Sequence, residues 1–392
     1  MRRFGKWLGR ALGLALLAGA LIFFVVLPPY VEKQRNAVQP HAPYPVSPQA
    51  QTLHDTLTIG DWHADSLLWA RDLTTHGDRG QVDIPRLQQG NVALQVFTAV
   101  TKSPSGQNYD ANSAQAFDNI TPLVIGQRWP TRTWQSLLER ALYQAEKLHE
   151  FAQDAPDDLM VITSQADLDA LLNARAAGSP IIGGMLGVEG AHPLELKLDN
   201  LDALEQAGHR VIGLHHFFDN GLGGSLHGLS NRGLTDFGRA VVLDIQRRGM
   251  ILDLAHSSPQ VARDVLEITD MPLIVSHTGL HSHCPVKRNF PDDLMRAIAQ
   301  TGGTIGLGYW QGAACDDITP NGIARMIAAG VRVLGEDHVS LGSDFDGSVA
   351  TAFDTSELAA LTQGLLDQGL TPDQIRKVMG DNMIRVLRAR LN

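Results

Sequence analysis

Cysteine is nearly absent: Cys284 and Cys315 are the only two in 392 residues, and no CxxC pair occurs. That argues against a thiolate zinc site, so histidine and carboxylate must carry any metal. Basic residues are also scarce, with 32 Lys and Arg against 42 Asp and Glu and a formal net charge of −10. A nucleic-acid surface needs a basic face, so small substrates are the better expectation. No GxGxxG follows the first apolar run, which disfavours an open doubly wound sheet. Internal repeats are lacking, and so is low-complexity sequence outside residues 28–52. What is abundant is hydrophobic sequence, 44% of the chain, enough for a sizeable core.

The amino terminus is distinct. Arg2, Arg3, Lys6 and Arg10 precede the apolar run Ala11–Leu27, about 17 residues and near the lower limit for crossing a bilayer. Basic residues on that side predict a cytoplasmic amino terminus and a body in the periplasm or cell exterior. A cleaved signal peptide is the rival reading, with "AGA" at 18–20 as its cleavage pattern. Cutting there would leave "LIFFVVL" as an oily new terminus, which favours an uncleaved anchor. The expected organisation is therefore a cytoplasmic stub and anchor (1–27), a Pro-rich stalk (28–52) read as extended, and one folded body (53–392). In an oxidising compartment Cys284 and Cys315 could pair; two buried free thiols are the alternative.

From residue 53 onward, eight short apolar runs alternate with segments of helical spacing: "TLTIGDWHAD", "NVALQVFTAV", "SPIIGGMLGVEGAH", "HRVIGLHHFF", "GMILDLAHSS", "MPLIVSHTG", "GGTIGLGYW" and "HVSLGSDFDG". This rhythm predicts a (β/α)8 TIM-type barrel. Helices are expected at 133–151, 201–207, 235–248, 259–268, 291–300 and 323–334, and over most of 356–391. The insertion 101–179 is expected to pack over the barrel rim.

Six of the eight runs end in a residue able to bind metal or move a proton: His63 with Asp65, Glu189, His215 with His216, His256, His277, and Asp344 with Asp346. The carboxyl ends of barrel strands share one mouth, so these groups should meet in space. Residues i and i+2 of a strand face the same way, about 6.6 Å apart, so His63 and Asp65 can grip one cation. By the same alternation His216 faces the lumen and His215 points away, while His256 is in phase with Leu252 and Leu254. One HxD is weak, and "HGD" at 76–78 is read as accidental, leaving His76 without a role. Many ionisable groups at one mouth are costly without counter-charge, so two divalent ions sharing a carboxylate and an activated hydroxide are expected. Zinc is the first choice of metal and hydrolysis the expected chemistry.

The ordered set "DWHAD", "GVEGAH", "GLHHFFDN", "DLAHSS", "SHTG", "KRNFPDDL" and "GSDFDG" resembles the membrane (renal) dipeptidase family of zinc metallopeptidases, within the amidohydrolase superfamily. The likeness runs from about residue 53 to the terminal "GDNMIRVLR". It implies that His63 and Asp65 hold one Zn2+, His256 and His277 the second, and Glu189 bridges both. It further implies that His216 polarises the scissile carbonyl and Asp344 is the general acid-base. Arg288 would clamp the substrate's free carboxylate, which explains a preference for dipeptides. Some relatives accept a D-residue on the carboxyl side. Asp346 could trade roles with Asp344, and Arg288 could instead pair with Asp292 or Asp293. His192, His281 and His283 are read as loop or supporting residues, and Asp253 has no assigned role. The competing functions are another amide or ester hydrolase, such as an N-acyl amino acid hydrolase, and a metal-binding protein that has lost catalysis. Homodimerisation is left open.

Overall fold

Strands buried on both faces need near-continuous apolar runs, and that is how the body's sequence is spent. The computed structural model describes residues 2–315 and 317–392. Its strands are β1 (Ile59–Ala64), β2 (Val92–Val100), β3 (Leu159–Val161), β4 (Ile182–Glu189), β5 (His209–Gly213), β6 (Ile251–Asp253), β7 (Ile274–Thr278), β8 (Thr304–Leu307) and β9 (Val339–Leu341). They run in the order β2-β1-β9-β8-β7-β6-β5-β4, and β2 pairs with β4 to close a parallel barrel. Each of the eight apolar runs supplies one barrel strand. The ninth strand, β3, pairs with the first residues of β4 and was not anticipated, being too short to show a period.

The helices form where their start signals stand. Thr235, Ser258 and Thr319 each accept the backbone N–H three residues on, and proline follows Ser258 and Thr319 directly. Pro259–Ile268 has the expected bounds, and the others differ at their ends. The 101–179 insertion meets the rim as expected, and its helix Leu137–Asp154 also packs on the outside of β2 and β3. Its Lys147 donates to the Leu67 and Trp69 carbonyls at 2.7 and 2.6 Å, and Gln144 donates to Val100 O at 3.1 Å. The loop that precedes this helix carries Tyr109 into the mouth.

The segment expected to be an extended stalk is largely ordered against the body. Helical turns run without a break through Arg2–Leu21, Ile22–Val26 and Leu27–Arg35, and a further helix spans Pro48–His54. Leu8, Leu12, Leu14, Leu16, Leu17 and Leu21 are exposed, so one apolar helix projects from the body near the amino terminus. Pro28 and Pro29 fall inside this continuous run, directly after the π-helical turn Ile22–Val26, the kind of local irregularity that accommodates proline within a helix.

Cys284 and Cys315 are joined. The bridge links the loop after β7 to the loop after β8, at a sequence separation of 31. A closed loop of that size is worth about 3–4 kcal/mol in the chain-entropy picture.

Several histidines serve the core rather than the mouth. His209 is fully buried; its Nδ1 donates to Gly187 O at 3.1 Å, and burial pushes its pKa down to about 4. Burial likewise lowers His54. The unfolded chain, with histidine at its ordinary value of 6.5, binds more protons than the folded chain between pH 6.5 and about 4. Stability should therefore fall as pH drops through that window, by on the order of 1 kcal/mol per pH unit for each such histidine. Thermal melts from pH 7 to 4 check this, and His209→Asn should make the slope shallower. An unchanged slope would remove His209 from the explanation.

Candidate functional site

Glu189, the last residue of β4, stands at the centre of the mouth. Its Oε1 lies 3.2 Å from His256 Nε2, 3.4 Å from His277 Nε2 and 3.6 Å from His63 Nε2, while its Oε2 lies 3.1 Å from His216 Nε2. His63 Nε2 is also 3.5 Å from Asp65 Oδ1 and 3.9 Å from Asp344 Oδ1. The groups converge as the strand-end argument requires. Gly190 lets the neighbouring side chains close in behind Glu189: it has φ +80°, and a Cβ there would fall 2.7 Å from His192 Nε2 and 3.1 Å from His216 Cβ.

The route of two residues to this mouth differs from strand alternation. β6 ends at Asp253, and His256 sits in a turn with φ +61°; Asp344 also has φ +61°. His216 lies three residues beyond β5, yet the expected partition holds, because His215 turns away to Ser257 Oγ at 3.0 Å. Asp344 and Asp346 both border the pocket, but their surroundings differ. Asp346 is wholly buried and held by the Ser66 hydroxyl at 2.6 Å, the Gln81 N–H at 2.7 Å and the Arg71 guanidinium, whereas Asp344 Oδ1 stands 3.9 Å from His63 Nε2. Gly347 keeps that pocket edge open, since a Cβ there would lie 2.0 Å from Asp344 Oδ1.

Arg288 is buried and makes no pair with Asp292 or Asp293. It donates to the His277 carbonyl at 2.7 Å and lies 5.4 Å from the Trp310 ring centroid. The disulfide therefore ties together the two loops that carry the Arg288 guanidinium and its aromatic support. Arg288, Asp65, Glu189, His216, His256 and Asp344 line one pocket of about 580 Å³ including its open mouth. Leu68, Val100, Ile120, Phe217 and Trp310 supply its apolar wall. His192 is buried in a stack on Phe218, with its ring centroid 4.5 Å away, and takes no place in the cluster.

The donor chemistry fits cations. Burial, and then the Asp65 charge, raise Glu189 well above the ordinary carboxylate value; burial raises Asp344 to about 7. For His63, burial acts to lower the pKa, but Asp65, Glu189 and Asp344 outweigh it and carry the value up to about 10. Three carboxylates crowded this way want positive charge among them. His256 Nε2 and His277 Nε2 face each other at 2.8 Å, both turned toward Glu189 Oε1, so both imidazoles present Nε2 to the place a cation would take. Three overlapping clusters meet the spacing for a shared ion: His63, Glu189 and His277; Glu189, His216 and His256; and His63, Asp65 and Asp344.

Sequence reasoning missed the layer beneath. The Ser276 hydroxyl donates to Asp253 Oδ2 at 2.6 Å and so accepts from His277 Nδ1 at 2.8 Å, which leaves Nε2 free to ligate. Asp61 accepts the His63 N–H at 2.9 Å and the Ser343 N–H at 3.0 Å. Asp61 was findable, being in phase with His63 and Asp65. Tyr109 and Trp310 carried no signal, because their meeting at 2.8 Å joins the rim loop to the β8 loop across 201 residues.

Comparison with known proteins agrees with this geometry. Residues 47–391 match the model of the membrane dipeptidase family, peptidase family M19. Dipeptidase aclJ of Aspergillus oryzae is 28% identical over 366 residues, covering 87% of this chain and 80% of that protein. The crystal structure of dipeptidase AC, a metallopeptidase of family M19, superimposes with a TM-score of 0.71 at 26% identity, over 86% of this chain and 99% of that one. A metallopeptidase from Rhodobacter sphaeroides, solved with a phosphinate mimic of the dipeptide L-Ala-D-Ala, gives a TM-score of 0.70 at 25% identity, over 86% of this chain and all of the other (100%). With the family pattern matched from residue 47 to residue 391, the chain belongs to the membrane dipeptidase family, M19, and is a metallo-dipeptidase, a hydrolase of peptide bonds.

Proposed function

We propose a membrane-tethered dipeptidase that works with two zinc ions, His63 and Asp65 holding one, His256 and His277 the other, and Glu189 bridging them. The observation that carries the reading is the convergence of three imidazole nitrogens on the single oxygen Glu189 Oε1, at 3.2 to 3.6 Å. When bound, such ions supply Lewis acidity and bring the pKa of water towards neutrality. Arg288 takes the substrate's carboxylate in a charge-assisted contact, which fixes the scissile bond at a set distance from the mouth. His216 Nδ1 donates to Lys102 O at 3.3 Å, since a carbonyl only accepts, and this turns Nε2 toward the mouth, 3.1 Å from Glu189 Oε2. There Nε2, when it is protonated as well, would donate to an incoming carbonyl oxygen as negative charge develops. Asp344, with a pKa lifted to about 7, takes a proton from the attacking water and returns it to the leaving amine.

A dipeptide ending in a D-residue belongs among the substrates tried, because the Rhodobacter sphaeroides relative holds a mimic of L-Ala-D-Ala. The exposed apolar helix supports a single membrane anchor with a cytoplasmic amino terminus, and the disulfide supports an oxidising location for the body. Full-length protein in detergent should release free amino acids from L-Ala-L-Ala and L-Ala-D-Ala and leave the blocked dipeptide amides nearly untouched. Chelation should abolish that activity and zinc should restore it. Undiminished turnover by protein shown to be metal-free would refute the reading.

A further inference from the structure

We propose that the membrane-proximal helix is part of the active site: Glu32 and Asn36 are positioning residues for the Asp344–Ser348 loop. The inference rests on the role given above to Asp344. That loop has an unusual backbone. Asp344, Asp346 and Ser348 all lie in the left-handed region, with φ of +61°, +61° and +63°, although none is glycine. Side chains persist there only when the surroundings dictate the conformation.

Two sets of contacts do so, and both lead back to the helix Leu27–Arg35. The first runs through charge. Asp346 is clasped by Ser66, Gln81 and Arg71, and its carbonyl accepts the Trp69 indole N–H at 2.8 Å. Arg71 is shared: its Nε pairs with Glu32 Oε1, and its Nη1 donates to Val82 O at 2.7 Å. The other Glu32 oxygen takes Arg79 Nε at 2.7 Å. Glu32 is 1% exposed and Asp346 0%. A simple tether has no reason to bury a carboxylate; burial is tolerable only because Arg71 and Arg79 neutralise it. Without Glu32, Arg71 keeps one anion of two and loses the geometry that aims it at Asp346.

The second set is neutral. Asn36 Oδ1 accepts the Ser348 N–H at 2.8 Å. Just beyond, Thr351 N donates to Ala37 O at 3.0 Å, and Gln39 N donates to Thr351 O at 2.8 Å. Asp344, Ser348 and Val349 line the catalytic pocket, so the chain that leaves the membrane is fastened to the strip of backbone that forms one pocket wall. The site is complete only with its tether in place.

The experiment uses the full chain in detergent micelles and a simple dipeptide. Glu32→Gln should lower kcat at least tenfold with KM within about threefold, and Asn36→Ala at least threefold. Adding Glu32→Gln to Arg71→Met should cost little beyond Arg71→Met alone, because both act through one clasp. A helix that merely stabilises the fold would lower the melting temperature and leave kcat per folded molecule unchanged, and that result overturns the inference. Should Glu32→Gln fail to fold, Asn36→Ala decides by the same kcat criterion. Asp344→Asn separates the layers. If it keeps full kcat, the catalytic reading of the loop falls and this inference with it; if it loses kcat while Glu32→Gln and Asn36→Ala keep theirs, only the positioning role falls.

Discussion

Asp344→Asn is expected to lower kcat by about 10²–10⁴-fold, the usual contribution of a positioned acid-base group, with metal content unchanged. Two observations single out this carboxylate. Its Oδ1 stands 3.9 Å from His63 Nε2, and burial lifts its pKa to about 7, the range in which one group can both accept and donate a proton. Its neighbour two residues on gives the contrast. Asp346 has its acceptor positions filled by Ser66, Gln81 and Arg71, so Asp346→Asn should act through loop geometry and stability instead. Steady-state kinetics on a dipeptide, with metal measured on the same sample, make the check. A variant of Asp344 with wild-type kcat would assign the proton transfers elsewhere.

Arg288→Met should reduce kcat/KM for dipeptides by about 10²–10³-fold, the scale for truncating one partner of a buried charged contact. The loss should appear mainly as a raised KM. Arg288 is 2% exposed, and its contacts are the His277 carbonyl, His256 Nε2 at 3.5 Å and an indole ring, with no carboxylate in direct contact, so the substrate supplies that anion. The comparison substrate is the dipeptide amide, which has no carboxylate to offer. Wild-type protein should handle it poorly, and the substitution should change that rate little. Equal losses on free dipeptide and amide would mean that Arg288 only props Trp310 and the loop around it.

Much of this was readable from the chain before folding. Barrel strands announce themselves as short apolar runs, and a strand's carboxyl end has a fixed destination. His63, Glu189 and His277 were therefore placed by topology alone. His256 and Asp344 reach the mouth by another route: they sit in left-handed turns, which alternation along a strand does not describe. Composition misled at residues 28–52. Proline suggested an extended stalk, yet Pro28 and Pro29 follow a π-helical turn, Pro48 falls in a first turn, and the body supplies partners for Glu32 and Asn36 that lie far away in sequence. The disulfide was undecidable for a similar reason, since pairing depends on how closely the loops after β7 and β8 approach. Long-range meetings of loops leave no periodic trace, whereas strand ends and helix caps do.

The most direct measurement is anomalous scattering at the zinc edge from crystals of the zinc-loaded protein. Two peaks are expected, one beside His63 and Asp65 and one beside His256 and His277, with Glu189 between them. A single peak elsewhere, or none at full zinc occupancy of the solution, would contradict the metal centre on which the whole mechanism stands.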